Sequence, residues 1–188
     1  MGLFGSKLPP LTTVPTCQTD KFMGTWFVIG VKPTYFEKTC SNAVETYTRV
    51  NSSSHDIDID FQYNTKETTD SPLKSLPQKG YILGDDKDNS SAWNVSPFGC
   101  LRLRYPIIEL DQENYEYVVV GNEGRSYAWI MARKPVMNDE LYESLKTKLV
   151  EKHQYSLDGL RKVPQVWTRE EREKRGLEQF IPDKSLQE

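Results

Sequence analysis

The side chains that could bind or transform a small molecule are few in this chain of 188 residues. Glu45 lies two residues before Tyr47 in a run rich in β-branched and aromatic residues, so the two side chains share a face if the run is a strand. A carboxylate on an inward face would hold the polar end of a ligand. The alternative is that the strand is turned over and Glu45 is solvated, because an unpaired buried carboxylate is costly.

Two arginines are a second candidate for ligand binding. Arg102 and Arg104 lie two residues apart, so they share one face of their segment. Guanidinium groups at the mouth of a binding site would pair with a fatty-acid carboxylate or a lipid phosphate. The alternative is that both arginines form the solvated face of a strand.

The histidines and the sequence motifs do not indicate a catalytic centre. His55 and His153 are the only histidines, and neither has a cysteine or carboxylate at ligand spacing around it. No nucleophile elbow, phosphate-binding loop or dinucleotide fingerprint occurs. We therefore expect no catalytic residues, no metal and no cofactor.

The first residues of the chain predict a lipid modification. Residues 1–7 (MGLFGSK) fit the N-myristoylation pattern, because removal of Met1 exposes Gly2 and leaves Ser6 at the favoured position. A secretory signal peptide is not readable in this segment. We expect Gly2 to anchor the protein to the cytosolic face of a membrane, or the protein to be cytoplasmic. An unmodified start is the alternative.

Composition excludes two classes of protein. The net charge of −3, with acidic and basic residues mixed along the chain, leaves no basic stripe for nucleic acid. The mean hydropathy of −0.65 and the lack of an 18-residue apolar run argue against a transmembrane helix. The length suits one domain, and no oligomeric state is predicted.

The pattern along the chain is typical of an all-β meander. Short runs rich in β-branched and aromatic residues are separated by turn signals, and in one of them Ile57, Ile59 and Phe61 alternate with aspartates. Eight antiparallel strands with one dry face each are best closed into a barrel, because closure removes unpaired edges. A two-sheet sandwich is the alternative. The candidate strands are 26–31, 43–50, 55–62, 79–84, 91–96, 101–109, 115–121 and 126–133.

A helix is predicted after the last strand. Asn138 is a suitable cap, and Leu141, Leu145 and Leu149 repeat every four residues. We expect this helix, about 138–152, to dock on the outer wall of the barrel. The domain organisation is then an extended arm (1–19), a barrel plus helix (20–165) and a charged tail (166–188), the tail being solvated or a loosely attached helix.

Three segments carry a resemblance to a known family. The segments 24–26 (GTW), 115–121 (YEYVVVG) and 125–133 (RSYAWIMAR) resemble, in this order, the strand motifs of lipocalins. The chain is similar to the group of apolipoprotein D, bacterial outer-membrane lipocalins and plant temperature-induced lipocalins, over roughly residues 18–165. The resemblance implies an eight-stranded up-and-down barrel with one helix outside.

The resemblance also implies a function and site residues. A lipocalin binds and carries a hydrophobic molecule, such as a fatty acid, lysophospholipid, sterol or pigment, inside the barrel. It implies further that Arg133 stacks over Trp26 at a closed base, with Gly24 allowing close approach. A ligand-free interaction module at a membrane and a lipocalin-fold enzyme are the alternatives. The expected ligand-binding residues are Val28, Glu45, Tyr47, Ile57, Ile59, Phe61, Trp93, Leu103, Tyr105, Tyr127 and Trp129.

Three cysteines allow at most one disulfide. Cys40 and Cys100 fall in loops expected at the open end of the barrel, and they could pair in an oxidising compartment. A cytosolic location instead implies reduced thiols, including Cys17.

Overall fold

The computed structural model describes residues 8–34, 37–50, 52–68, 71–97, 99 and 101–181, and antiparallel strands dominate them. The helices are α1 (Thr19–Phe22), α2 (Asp139–Glu151) and α3 (Arg169–Lys174). The strands are β1 (Gly24–Lys32), β2 (Ser41–Arg49), β3 (Ile57–Asn64), β4 (Leu73–Ile82), β5 (Ala92–Ser96), β6 (Leu103–Leu110), β7 (Tyr117–Gly121), β8 (Ala128–Ala132) and the short β9 (Arg161–Lys162).

The first eight strands close into a barrel. Each strand from β1 to β8 pairs with the next one in the sequence, and β1 also pairs with β8. The first half of β1 lies against β2, while its second half lies between β8 and β9. The up-and-down barrel predicted from the sequence is confirmed, and the sandwich alternative is wrong.

Alternation of side chains divides the buried residues into an inner and an outer group. In β3, Ile57, Ile59 and Phe61 are buried inside the barrel, whereas Asp58 is exposed on the outside. The outer wall of β1 and β8 is also apolar, through residues such as Phe27 and Ile130. This outer surface is covered by the helix and by the C-terminal segment.

Helix α2 docks on the outer wall as expected. The Asn138 side chain caps it by accepting hydrogen bonds from the backbone N–H groups of Glu140 (2.8 Å) and Leu141 (3.2 Å). Leu145 is fully buried and belongs to the same apolar cluster as Phe27 of β1 and Ile130 of β8. A Cβ on Gly30 would lie 2.7 Å from the hydroxyl of Tyr142, so the glycine lets the helix approach the wall.

The two terminal segments pack on the barrel. Leu11 and Val14 of the arm are buried, and the Val14 N–H donates to the carbonyl of Ile107 (2.9 Å). The segment after residue 165 was expected to be a solvated tail or a loosely attached helix, but Trp167 and Ile181 are buried on the outer wall. Charged side chains dominate the composition of this segment, so the few apolar residues that attach it to the barrel were not recognised from the sequence. Residues beyond 181 lie outside the described part.

Strand β4 begins earlier than predicted. Its first half is polar and contains Pro77, which pairs with Asp60 of β3. Proline and polar residues argue against a strand, so the sequence pattern reveals only the end of β4 near Tyr81. None of the helices among the described residues is long and apolar enough to cross a membrane.

Candidate ligand-binding site

A cavity of about 300 Å³ occupies one end of the barrel interior. Its mouth is marked by Leu101, Leu103 and Tyr127, which are large apolar side chains exposed to solvent. The lining residues are Thr34, Glu37, Glu45, Ile59, Phe61, Leu76, Gln78, Val95, Pro97, Leu101, Leu103, Arg104, Tyr105, Tyr127 and Trp129.

Most of the residues expected to bind a ligand lie around this cavity. They come from four different strands and from the residue before β8, and alternation turns them inward. They are Glu45, Ile59, Phe61, Leu103, Tyr105, Tyr127 and Trp129.

The other four expected residues lie in the packed core instead. Val28, Tyr47, Ile57 and Trp93 are at most 1% exposed and do not line the cavity. Trp93 stacks on Tyr105 with ring centroids 6.3 Å apart. These residues share the inward face of their strands with the cavity residues, but they contact protein rather than open space.

An aromatic cluster closes the other end of the barrel. Phe22 of α1 inserts between Trp26 (5.1 Å between ring centroids), Tyr47 (5.2 Å) and Trp93 (4.7 Å). The Trp26 indole N–H donates to the backbone carbonyl of Phe22 (2.8 Å). All four side chains are fully buried, so this end of the barrel is filled.

Arg133 covers the aromatic cluster at the closed end of the barrel. Its guanidinium carbon lies 3.7 Å from the centroid of the Trp26 ring, and its N–H groups donate to the carbonyls of Thr25 (3.0 Å) and Lys21 (2.7 Å). Burial lowers the pKa of Arg133 to about 10, which leaves it charged at neutral pH. Close approach does not explain Gly24, because a Cβ there would lie at an ordinary contact distance of 3.5 Å from Arg133; its φ of +92° does, since other residues rarely adopt it.

Glu45 lies at the inner end of the cavity and is 5% exposed, so the alternative of a solvated Glu45 is wrong. Its Oε2 accepts hydrogen bonds from the hydroxyls of Tyr47 and Tyr105, the second at 3.2 Å. The two hydroxyls are themselves 2.5 Å apart. Burial raises the pKa of the Glu45 carboxyl to about 7, although the tyrosine hydrogen bonds oppose this change.

A second carboxylate in the cavity was missed by sequence reasoning. Glu37 is 4% exposed and its Oε1 accepts from the indole N–H of Trp129 at 2.6 Å. Its Oε2 accepts from the backbone N–H (3.0 Å) and the hydroxyl (2.6 Å) of Thr34. Glu37 lies between strands, and its partner Trp129 is 92 residues away. Neither alternation nor a local motif could indicate this contact.

The two arginine candidates have different surroundings. Arg104 is exposed and lines the cavity mouth, where it can reach the polar group of a bound molecule. Arg102 stacks on the Tyr81 ring, with its guanidinium carbon 3.7 Å from the ring centroid. The remaining lining residues that the sequence did not single out belong to the weakly patterned β4 and to loops at the mouth.

The described cysteines are buried free thiols. Burial raises the pKa of Cys17 to about 12 and that of Cys40 to about 11. Cys100, the expected disulfide partner of Cys40, lies outside the described residues.

Comparisons with known proteins agree with this architecture. A family profile described as a lipocalin-like domain matches residues 17–165. The chain is 28% identical over 142 residues to the outer membrane lipoprotein Blc of Citrobacter freundii, which covers 74% of this chain and 76% of that protein. It is 26% identical over 167 residues to temperature-induced lipocalin-1 of Arabidopsis thaliana, which covers 82% of this chain and 83% of the relative.

These relatives correct the expected location. The proteins of Citrobacter freundii and Escherichia coli are named outer membrane lipoproteins, a name that contradicts the cytosolic face of a membrane or the cytoplasm. The expectation from residues 1–7 is therefore wrong on location. Gly2, the expected site of myristoylation, lies outside the described residues.

A solved structure provides the third comparison. Insecticyanin from the tobacco hornworm Manduca sexta superposes with a TM-score of 0.61 at 13% identity, covering 87% of this chain and 88% of that one. Such low identity supports the fold alone. Because the family profile spans most of the chain and the barrel is closed in the same way, the chain belongs to the lipocalin family, whose members hold small hydrophobic ligands.

Proposed function

We propose that this protein binds and carries a small hydrophobic molecule in the cavity at the open end of its barrel. The observation that carries the proposal is the cavity itself, about 300 Å³ of space walled by residues such as Ile59, Phe61 and Trp129. Ligand sites are typically concave and apolar, with a few polar groups that fix orientation. Glu45 and Glu37 are the acidic groups among the polar side chains of this site.

The cavity size limits the ligand. Its volume lies near the lower end of the range of about 300–1,000 Å³ that is typical of small-molecule sites. Among fatty acids, lysophospholipids, sterols and pigments, a single acyl chain or a compact ring system suits this space. A larger molecule would have to extend through the mouth, past Leu103 and Tyr127.

Titration with a hydrophobic fluorophore tests the proposal. N-phenyl-1-naphthylamine should bind saturably to the wild-type chain with increased fluorescence, because the cavity removes it from water. Leu76→Trp adds volume at a lining residue and should weaken binding several-fold. Val136→Trp is the matched control, since Val136 is 75% exposed outside the cavity, and this variant should bind like the wild type.

The result also separates the alternatives. Equal titrations for Leu76→Trp and the wild type would place the probe elsewhere, and no saturable binding of the probe or of any lipid would favour a ligand-free interaction module. No catalytic step is proposed.

Action at a lipid membrane is part of the same proposal. The names of the bacterial relatives, outer membrane lipoproteins, support it. The exposed apolar residues Leu101, Leu103 and Tyr127 around the mouth support it as well, because a carrier that takes up lipid needs an apolar rim where the ligand enters.

A further inference from the structure

The cavity wall carries an unequal distribution of charge. Two carboxylates, Glu37 and Glu45, line it and are almost completely buried. Among the described lining residues, Arg104 is the one with a positive charge, and it is exposed at the mouth. The inner lining is therefore acidic; Arg161 donates to the backbone carbonyl of Glu37 (2.7 Å) but is not part of the lining.

One carboxylate oxygen at the inner end of the cavity has no hydrogen-bond donor among the described residues. The Oε2 atom of Glu45 receives the hydroxyls of Tyr47 and Tyr105, but its Oε1 atom has no donor among the described residues. Both oxygens of Glu37 are already bonded, to Trp129 and to Thr34. Glu45 lines the cavity, so a ligand that supplies a donor to this oxygen gains a charge-assisted hydrogen bond.

The donors at the inner end are already in use. The hydroxyls of Tyr47 and Tyr105 contact Glu45 and each other, and the Trp129 N–H is bonded to Glu37. An inserted carboxylate would face two carboxylates, and the donors left to it among the described lining side chains are the neutral Gln78 amide and Arg104 at the mouth. An inserted ammonium would find the opposite charge and an unfilled acceptor.

We propose that the cavity selects hydrophobic molecules whose inserted end is a hydrogen-bond donor, with a protonated amine preferred over a hydroxyl and a carboxylate disfavoured. This inference rests on the proposed function and names its ligand class. Glu45 is the residue that makes the contact, and Glu37 adds negative charge nearby.

Three ligands with the same chain test this order. Decylamine, 1-decanol and decanoic acid should displace N-phenyl-1-naphthylamine from the full chain at pH 8 in that order of affinity. We expect decylamine to bind about ten-fold or more tightly than decanoate, the size of one charge-assisted hydrogen bond. Decanoate binding as tightly as decylamine would overturn the inference and leave the proposed function intact. If the probe binds saturably but none of the three displaces it, the inference is overturned, whereas a lack of saturable probe binding would overturn the proposed function itself.

Two variants test whether Glu45 is the residue responsible for the preference for an amine. Glu45→Gln should reduce the ratio of decylamine to decanol affinity at least several-fold, because the amide has no charge. Glu140→Gln, an exposed carboxylate on α2, is the matched control and should leave the ratio unchanged. An unchanged ratio in Glu45→Gln would overturn the inference. Near-ultraviolet circular dichroism checks that each variant is folded.

The wild-type chain offers a test that needs no variant. Glu45 is faced by Tyr47, Tyr105 and Glu37, and its pKa is raised to about 7. Decylamine, like a lysine side chain, stays protonated below this pH. Its affinity should therefore fall between pH 8 and pH 5 while that of decanol changes little, and parallel curves for the two ligands would contradict the role of Glu45.

Discussion

Glu45 joins the chemistry of the cavity to the stability of the protein, because a carboxyl group that is buried without a cation prefers to stay protonated. Its pKa rises from the ordinary value of 4.5 to about 7 on folding, through burial. The stabilisation from the neutral form is complete below pH 4.5 and is lost as the pH rises through 7.

Glu45→Gln should therefore become more favourable for stability as the pH rises. We expect the free energy of unfolding of this variant, relative to the wild type, to increase by about 2–3 kcal/mol between pH 5 and pH 8. Urea unfolding of both proteins at the two pH values measures this. The same difference at pH 5 and pH 8 would show that Glu45 is ionised throughout, and Glu140→Gln controls for surface charge.

At the residue scale, the sequence predicted the face of a side chain better than its depth. Alternation and the family resemblance turned Ile59 and Ile57 to the same inward side, yet Ile59 lines the cavity and Ile57 is packed core. Depth along the barrel depends on how far the aromatic cluster around Phe22 extends. That cluster joins residues distant in sequence, which no local pattern records.

At the scale of elements, one carboxylate of β6 contacts the last turn of α2 and the two residues that follow it. Glu109 accepts hydrogen bonds from Lys152 (2.6 Å) and from the ring N–H of His153 (2.9 Å), with Lys148 at 3.3 Å. Burial opposes the charge of Glu109, but these partners outweigh burial and lower its pKa to about 2. The stabilisation exists above pH 4.5 and is lost as the pH falls toward 2, the opposite dependence to that of Glu45.

Glu109→Gln should weaken helix docking at neutral pH. We expect a loss on the order of 2 kcal/mol in the free energy of unfolding at pH 7, because the pairs with the lysines disappear. The loss should shrink toward zero at pH 2, where the wild-type carboxyl is increasingly protonated. Urea unfolding at both pH values measures it, and a loss independent of pH would indicate a packing defect instead.

The sequence predicted the elements with strong local signals. Helix α2 was predicted because Asn138 caps it and leucines repeat along one face. The start of β4 was missed because Pro77 and polar neighbours resemble a loop, although pairing with β3 holds them in a strand. Backbone pairing with a distant segment decided the structure there, against the preference of the residues.

At the scale of the whole molecule, the C-terminal segment closes the outer core. The Trp167 ring packs edge-on against Phe27 (5.8 Å between centroids), and the guanidinium carbon of Arg175 lies 4.6 Å from its centroid. The tail could not be predicted as packed, because Trp167 stands ten residues before Leu177, and the single four-residue step from Leu177 to Ile181 is too short to define an apolar face.

Trp167→Ala should destabilise the entire barrel. We expect a loss of about 3 kcal/mol in the free energy of unfolding, since a large buried ring leaves a cavity between the segment and β1. Val166→Ala is the matched control, because Val166 is 53% exposed and should change stability little. Thermal unfolding compares the three proteins, and equal midpoints would show that the segment only rests on the surface.

The aromatic cluster that closes one end of the barrel affects how fast one bound ligand is exchanged for another. Because Phe22, Trp26 and Trp93 close one end, a bound molecule enters and leaves through the same mouth. A second molecule cannot enter from the closed end and displace the first. The bound ligand must therefore leave the cavity through the mouth before the next one enters. The rate of exchange is then set by the residence time of the occupant, and raising the concentration of the newcomer does not shorten it.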